Sequence, residues 1–340
     1  GNDIPGVMLA SAVRDYVKLY GVSPGDRTVI LTNNDDAYRT AIDLNSVGLS
    51  VPAIIDVREN TNGPLALEAK NLGIKVRNGK GIAGVTGKRF VKSVSICSQN
   101  GSGTVDEILE CDIVAMSGGW SPVVHLWSHC GGKLSWEGQR GMFVPNLRSP
   151  PCGDNGQSFV FPVGGTIGIS SASGCFDSAI STVLEVTKSL GLRSKKLSKP
   201  DFREVEADKI NPIWLIPDGA GSKLKAKSFL DYQNDVKVSD IKQAVIEGYE
   251  SVEHAKRYTT LGMATDQGKL SNINGLAMLA HHLGEPIETV GTTTFRPPYT
   301  PVSLGVIAGD ARGSLFKPTR KTVIDGWSDS NGAHWEPVAD

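Results

Sequence analysis

The plainest periodic signal is a block of apolar residues, TVILT at 28–32, then apolar positions at helical spacing through DDAYRTAIDLNSVG as far as Gly48, then a second apolar block, VPAIIDV at 51–57. Short continuous apolar runs flanking a helix predict a βαβ unit, and such crossovers imply a parallel sheet covered by helices. A helix follows over GPLALEAKNLG, and residues 82–109 alternate apolar and polar positions around SQNGSGT, which predicts an antiparallel hairpin or meander. CDIVAMSGGWSPVVHLW predicts a buried strand ending in Gly118 and Gly119, then a helix with Pro122 near its start. FVFPVGGTIGISSASGCFDSAISTVLEVTKSLG predicts another strand, a glycine-rich bend and a long helix closed by Gly191. Farther on, helices are predicted over DIKQAVIEGY, capped by Ser239, over a short segment capped by Ser251, and over NINGLAMLAHHLG, capped by Ser271 or Asn272.

The fold class that follows is α/β, with Rossmann-like dinucleotide-binding domains, one degenerate and one partial, ahead of a small helical domain. In the first, the loop TNNDDAYR stands where a glycine fingerprint would lie. Asn33 and Asn34 put side chains where a pyrophosphate needs bare backbone, although Asp56 ends the second strand where a ribose-binding acid belongs. The unit therefore reads as a Rossmann-like domain kept for structure. The boundaries expected are 1–110 for this domain and 111–195 for the returning half of an NAD-binding domain. Residues 196–226 form a polar linker with Pro200, Pro212 and Pro217, residues 227–290 the helical domain, and 291–322 a proline-rich, basic segment that contacts a cofactor or partner.

Composition narrows the function. With 35 basic against 36 acidic side chains, nothing favours nucleic acid or an anionic membrane, and small molecules or protein partners are expected. The 39 glycines cluster in short loops, as in nucleotide-binding folds. Five scattered cysteines without a CxxC motif predict neither a disulfide framework nor a zinc site, and suggest a reducing cytoplasm. No apolar run approaches the ~20 residues that cross a bilayer. The start, GNDIPGVMLA, has neither an initiator Met nor a signal-peptide pattern, so the chain reads as a piece of something longer.

The loop RYTTLGMATDQGKLSN, Arg257 to Asn272, is the main candidate for binding chemistry. Gly262 and Gly268 are expected to free backbone N–H groups, Ser271 and Asn272 open a helix whose positive end faces the same spot, and Lys269 adds a full charge. A plain helix–helix turn is the competing reading. A metal site is excluded on inventory, because no cysteine lies beyond Cys175 and His254 alone makes no coordination set. His125, His129, His281 and His282 lie in apolar helical stretches and are assigned no chemistry. SSASG at 170–174 lacks the order of a nucleophile elbow.

Two resemblances sharpen this picture. LDYQND and GMATDQGKLS stand where a bacterioferritin-associated ferredoxin type of two-iron two-sulfur domain carries its ligands, so Asp231, Gln233, Asp266 and Ser271 take the four ligand positions and no iron–sulfur cluster is expected. With NNDDAYRTA, MSGGWSPVVHL, DQGK and TFRPPYTPV in this order, nearly the whole chain resembles the α subunit of heterotetrameric sarcosine oxidase, as a central fragment. TVIDGWSDSNGAHWEPV resembles the start of that family's folate-binding, aminomethyltransferase-like domain, giving 323–340 as a truncated beginning. The resemblance implies oxidative demethylation of sarcosine to glycine at an FAD in the β subunit, with electrons passing to FMN and oxygen, hydrogen peroxide formed, and the one-carbon unit reaching tetrahydrofolate as its 5,10-methylene form. It implies partners β, γ and δ, an FMN shared with a partner, and a partial NAD site, with the fragment inactive alone. Gly268, Lys269 and Asn272 are the implied phosphate binders, with Gln267, Thr260 and Arg296 as additions, while Gly118, Ala172 and Gly174 match the NAD site. Arg296, Arg312, Arg320 and Lys321 also suit a solvated basic face. A related FAD/FMN amino-acid oxidase or dehydrogenase, and a non-catalytic assembly module, remain the alternatives.

Overall fold

The structure is a computed structural model that describes residues 1–193, 197–204 and 209–336. Residues 194–196, 205–208 and 337–340, which carry ends or parts of the expected returning half, linker and folate-domain start, lie outside these. The chain divides into two compact units, Gly1–Phe295 and Arg296–Asp340.

Strands buried on both faces centre the first unit. β1 (Val7–Leu9) leads into α1 (Ala10–Tyr20), β2 (Thr28–Thr32), α2 (Asp36–Ser46), β3 (Ala53–Asp56), α3 (Pro64–Asn71) and β4 (Lys75–Asn78). β5 (Lys80–Gly87), β6 (Val91–Ser98) and β7 (Val105–Glu110) form the expected antiparallel meander, and β8 (Ile113–Ser117) follows. The main sheet has the order β1-β8-β2-β3-β4 and is parallel throughout. Successive strand residues point to opposite faces: Ile30, Ile54 and Ala115 pack in one core with the helices, and Val29, Leu31, Ala53, Ile55 and Val114 in another with the meander. β8 lies between β1 and β2, so the expected boundary at 110/111 falls inside one sheet. Its apolar run looked like a new beginning, whereas it returns from the meander to the centre of the existing sheet.

α4 (His125–His129) is followed by an unexpected hairpin of β9 (Leu134–Glu137) and β10 (Met142–Pro145), and α5 (Ala172–Ser189) is the expected long helix. The strand predicted at FVFPV does not form; Pro162 removes a ladder donor, and a 3-10 turn, Gly164–Ile167, succeeds it. No residue of α5 is buried, and Val183 and Leu184 on it are exposed.

α6 (Ser222–Lys225), the hairpin of β11 (Phe229–Asp231) and β12 (Val236–Lys237), α7 (Val238–Ile246), α8 (Val252–Thr259), α9 (Asn272–Leu283) and α10 (Ile287–Val290) complete the unit. Ile241, Ala244, Leu261, Leu276 and Leu279 centre its helical core. Lys237, not Ser239, is the N-cap of α7: the Asp240 carboxylate accepts the Lys237 N–H at 2.9 Å. Ser251 and Ser271 hold the N-cap positions of α8 and α9 without side-chain cap bonds. Much of the expected linker is not one: Ile213 and Ile216 pack on the meander-side core while Leu215 enters the helical core. The second unit contains α11 (Leu304–Ala308) and α12 (Asp325–Ser330), and its Leu304, Phe316 and Trp327 are exposed. No described helix is long and apolar enough to cross a membrane.

Candidate functional site

The loop between α8 and α9 is wound tightly because several residues adopt left-handed backbone: Thr260, Gly262, Gln267 and Gly268 have φ of 63°, 65°, 54° and 75°. Only glycine fits two of these places. A Cβ on Gly262 or Gly268 would stand within 2.3 Å of the Asn272 carboxamide. Asn272 is buried and donates from Nδ2 to Thr293 Oγ1 at 3.0 Å, so the loop closes over the first turn of α9.

Several amides of this loop and of the β11–β12 turn are already paired. Asp231, 1% exposed, accepts the N–H groups of Gln233 and Asn234 on Oδ1, both at 2.9 Å, and of Gly262 on Oδ2 at 2.7 Å. Asp266 accepts the Gly268 N–H at 3.0 Å and the Leu270 N–H at 3.4 Å, while its own N–H donates to Gln233 Oε1 at 3.0 Å. The expectation that Gly262 and Gly268 leave open N–H groups for an external anion is thus corrected: internal carboxylates, the strongest local acceptors, take them. Three of the four positions mapped to cluster ligands, Asp231, Gln233 and Asp266, form one network with the loop; Ser271 is 1% exposed and its Oγ has no hydrogen-bond partner among the described residues.

Lys269 stands outward from this frame. Its side chain is exposed and Nζ donates to the Asp266 carbonyl at 3.2 Å. Its charge reaches His125, whose pKa is lowered first by burial and then by the charges of His129 and Lys269. The rings of His125 and His129 meet edge-on at 5.6 Å, and His129 Nε2 lies 2.9 Å from the Phe295 carbonyl oxygen. Of the histidines set aside on sequence, His125 lies within electrostatic reach of Lys269. The i, i+4 spacing on α4 was the available signal, but nothing in the sequence brings α4 to a loop some 140 residues later.

The other expected site residues are dispersed. Thr260 accepts Asn234 Nδ2 on its carbonyl at 2.9 Å, and Gln267 donates from Nε2 to the Ala264 carbonyl at 3.0 Å. Arg296 belongs to the second unit. Gly118 ends β8, and its carbonyl accepts Asn33 Nδ2 at 3.2 Å. Ala172 and Gly174 open α5, where the Gly174 N–H donates to Ser171 Oγ at 3.1 Å and the Ser173 N–H to Glu204 Oε1 at 2.8 Å.

At the carboxyl ends of β2 and β3 the structure shows a site that sequence did not resolve. Asp56 is wholly buried, and Arg58, 6% exposed, grips it from Nε at 3.0 Å and from one terminal nitrogen at 2.7 Å, which also lies 2.8 Å from Asp35. Tyr38 adds its hydroxyl to Asp56 at 2.9 Å, and burial, followed by the Asp56 charge, pushes the phenol well above its ordinary pKa. The acid placed for a ribose is consumed inside the protein.

Comparison with known proteins shows what the chain is similar to. Residues 225–311 match the sarcosine oxidase A3 domain. The chain is 37% identical over 334 residues to sarcosine oxidase subunit alpha of Rhizobium meliloti (strain 1021), covering 98% of this chain and 32% of that protein. It is 36% identical over 352 residues to the subunit alpha of Corynebacterium sp. (strain P-1), covering 99% and 34% respectively. Among solved structures, L-proline dehydrogenase from P. horikoshii superposes with a TM-score of 0.63 at 18% identity, over 90% of this chain and 55% of that one, a likeness of fold alone. Over nearly all of its residues the chain is accordingly a relative of sarcosine oxidase subunit alpha, and it spans about a third of the length of the curated relatives it matches.

Proposed function

We propose that the chain is part of a sarcosine oxidase-type oxidoreductase subunit, and that the observation carrying this is identity above a third along almost its whole length with sarcosine oxidase alpha chains. In this reading the assembly demethylates sarcosine to glycine with oxygen as acceptor, forms hydrogen peroxide and passes the one-carbon unit to tetrahydrofolate, beside β, γ and δ subunits and an FAD held by a partner. This chain supplies scaffold and part of an FMN site, with no complete active centre of its own.

The α8–α9 region is read as a two-iron two-sulfur type of scaffold in which oxygen acceptors fill the ligand places. Asp231 and Asp266 hold the loop amides, so the loop is rigid without a cluster. A flavin phosphate then meets side chains and not the amides. Lys269 is the principal contact, with Asn272, Gly268, Gln267 and Thr260 shaping its surroundings. One charged hydrogen bond from Lys269 contributes about 1.5–3 kcal/mol. The flavin supplies one- and two-electron transfer; the residues of this chain bind and orient its phosphate. Ala172 and Gly174 are read as the retained part of an NAD site.

The test is Lys269→Ala in the assembled enzyme, with flavins released and quantified. FMN is expected to fall while FAD stays stoichiometric. Full FMN occupancy in that variant removes Lys269 from the site.

A further inference from the structure

In open α/β sheets ligands lie outside the carboxyl ends of the strands, where the strand order reverses. Here those ends are Thr32, Asp56 and Ser117, and the space beside them is taken by the chain itself. Asn33, 6% exposed, donates from Nδ2 to the Asn211 carbonyl at 3.0 Å, and its own carbonyl accepts the Asn211 N–H at 3.1 Å. An Arg58 guanidinium nitrogen donates to the Lys209 carbonyl at 3.3 Å. Ile210 comes so close to Gly119 that a Cβ there would sit 2.7 Å from Ile210 Cδ1. Gln99, 3% exposed, repeats the pattern at the meander: Nε2 donates to the Leu215 carbonyl at 3.3 Å and its backbone carbonyl accepts the Asp218 N–H at 2.9 Å.

We infer that the crevice of this Rossmann-like sheet is a peptide socket whose occupant is residues 209–218 of the same chain, held there in place of a nucleotide. Two buried carboxamides, Asn33 and Gln99, read main-chain groups of the strap as they would read a bound peptide. Arg58 neutralises Asp35 and Asp56, leaving no free acid for a ribose, and Ile210 covers the second glycine of the loop after β8. Between these anchors Ile213 and Ile216 pack against the meander-side core and Leu215 enters the helical core. The strap therefore couples the α/β sheet to the helical core, and a nucleotide fold has become a structural joint. This inference stands apart from the FMN reading, because none of its residues lies in the α8–α9 loop.

Hydrogen exchange on the natural full-length chain in its assembly tests it. The amides of Asn211 and Asp218 are expected to exchange as slowly as those of Val29 and Ile30 to within about tenfold, since they open only with the sheet. Millimolar NAD or ADP is expected to leave exchange at 28–35 and 53–58 unchanged. Asn33→Ala is expected to speed exchange at Asn211, and Gln99→Ala at Asp218, by at least about tenfold while residues 28–32 keep their protection. Free-peptide exchange rates for the strap in the wild type, or nucleotide-induced protection at 28–35 and 53–58, overturn the inference. Should either variant fail to fold, the wild-type exchange pattern decides alone.

Discussion

The β2–β3 crevice and the α8–α9 loop both carry the sequence marks of an anion or nucleotide site, and both turn out to be filled by the protein's own groups. They differ in what remains outside. At the crevice the cation is Arg58, buried between Asp35 and Asp56 and covered by the strap. At the loop the acids are spent on amides, and the cation, Lys269, is exposed. Internal charge pairing closes the first place, whereas internal amide pairing stiffens the second and leaves a positive side chain presented to solvent. A charge that cannot leave the interior serves stability, whereas Lys269 keeps contact with solvent beside its bond to the Asp266 carbonyl.

Variants can break or sharpen this contrast. The largest effect is expected for Arg58→Ala, which strands two buried carboxylates; chemical denaturation is expected to show a loss of about 3–5 kcal/mol. If Arg58→Ala costs no more than an exposed substitution, the crevice is not an internally compensated site. Gly268→Ala follows at about 2 kcal/mol or more, because it sets a side chain at positive φ and against Asn272; melting temperature compared with Gly284→Ala, where a Cβ meets open space at a similar φ, isolates the collision. Asp231→Ala is expected to cost about 1–3 kcal/mol by uncovering the amides of Gln233, Asn234 and Gly262, and faster amide exchange at those residues is the readout.

Acidification gives a smaller effect. His282 has its pKa lowered by burial first and then by His281, Lys225 and Lys242, so the folded state binds fewer protons than the unfolded one as pH falls below the ordinary histidine value. Its contribution is complete above about pH 6.5 and is lost as pH falls toward the depressed folded value. His282→Gln is expected to flatten the decline of stability over that window. Lys269→Ala is expected to change stability by less than about 0.5 kcal/mol, so its effect on FMN content is read free of unfolding.

How much was legible varies by element. The βαβ unit, the meander and α9 declare themselves because burial on a sheet face or helix stripe imposes a period on the sequence. β8 was seen as a strand but misplaced, since periodicity does not say which neighbours a strand pairs with. The strap was hidden: its prolines and polar surroundings read as a linker, and only five apolar residues, Ile210, Ile213, Trp214, Leu215 and Ile216, hint at burial. In the loop the glycines were legible, yet the partners of their N–H groups were not.

Sequence by itself determined the parallel α/β core, the helices that follow it and the glycine-bearing loop, because each follows from local spacing and backbone freedom. Only the tertiary structure decided that Asp56 belongs to Arg58, that Asp231 serves Gly262 from 31 positions away, and that residues 209–218 fill the crevice. Hydrogen bonds and ion pairs are satisfied by whichever groups the fold brings within about 3 Å, and that proximity is a property of packed elements that no local pattern records.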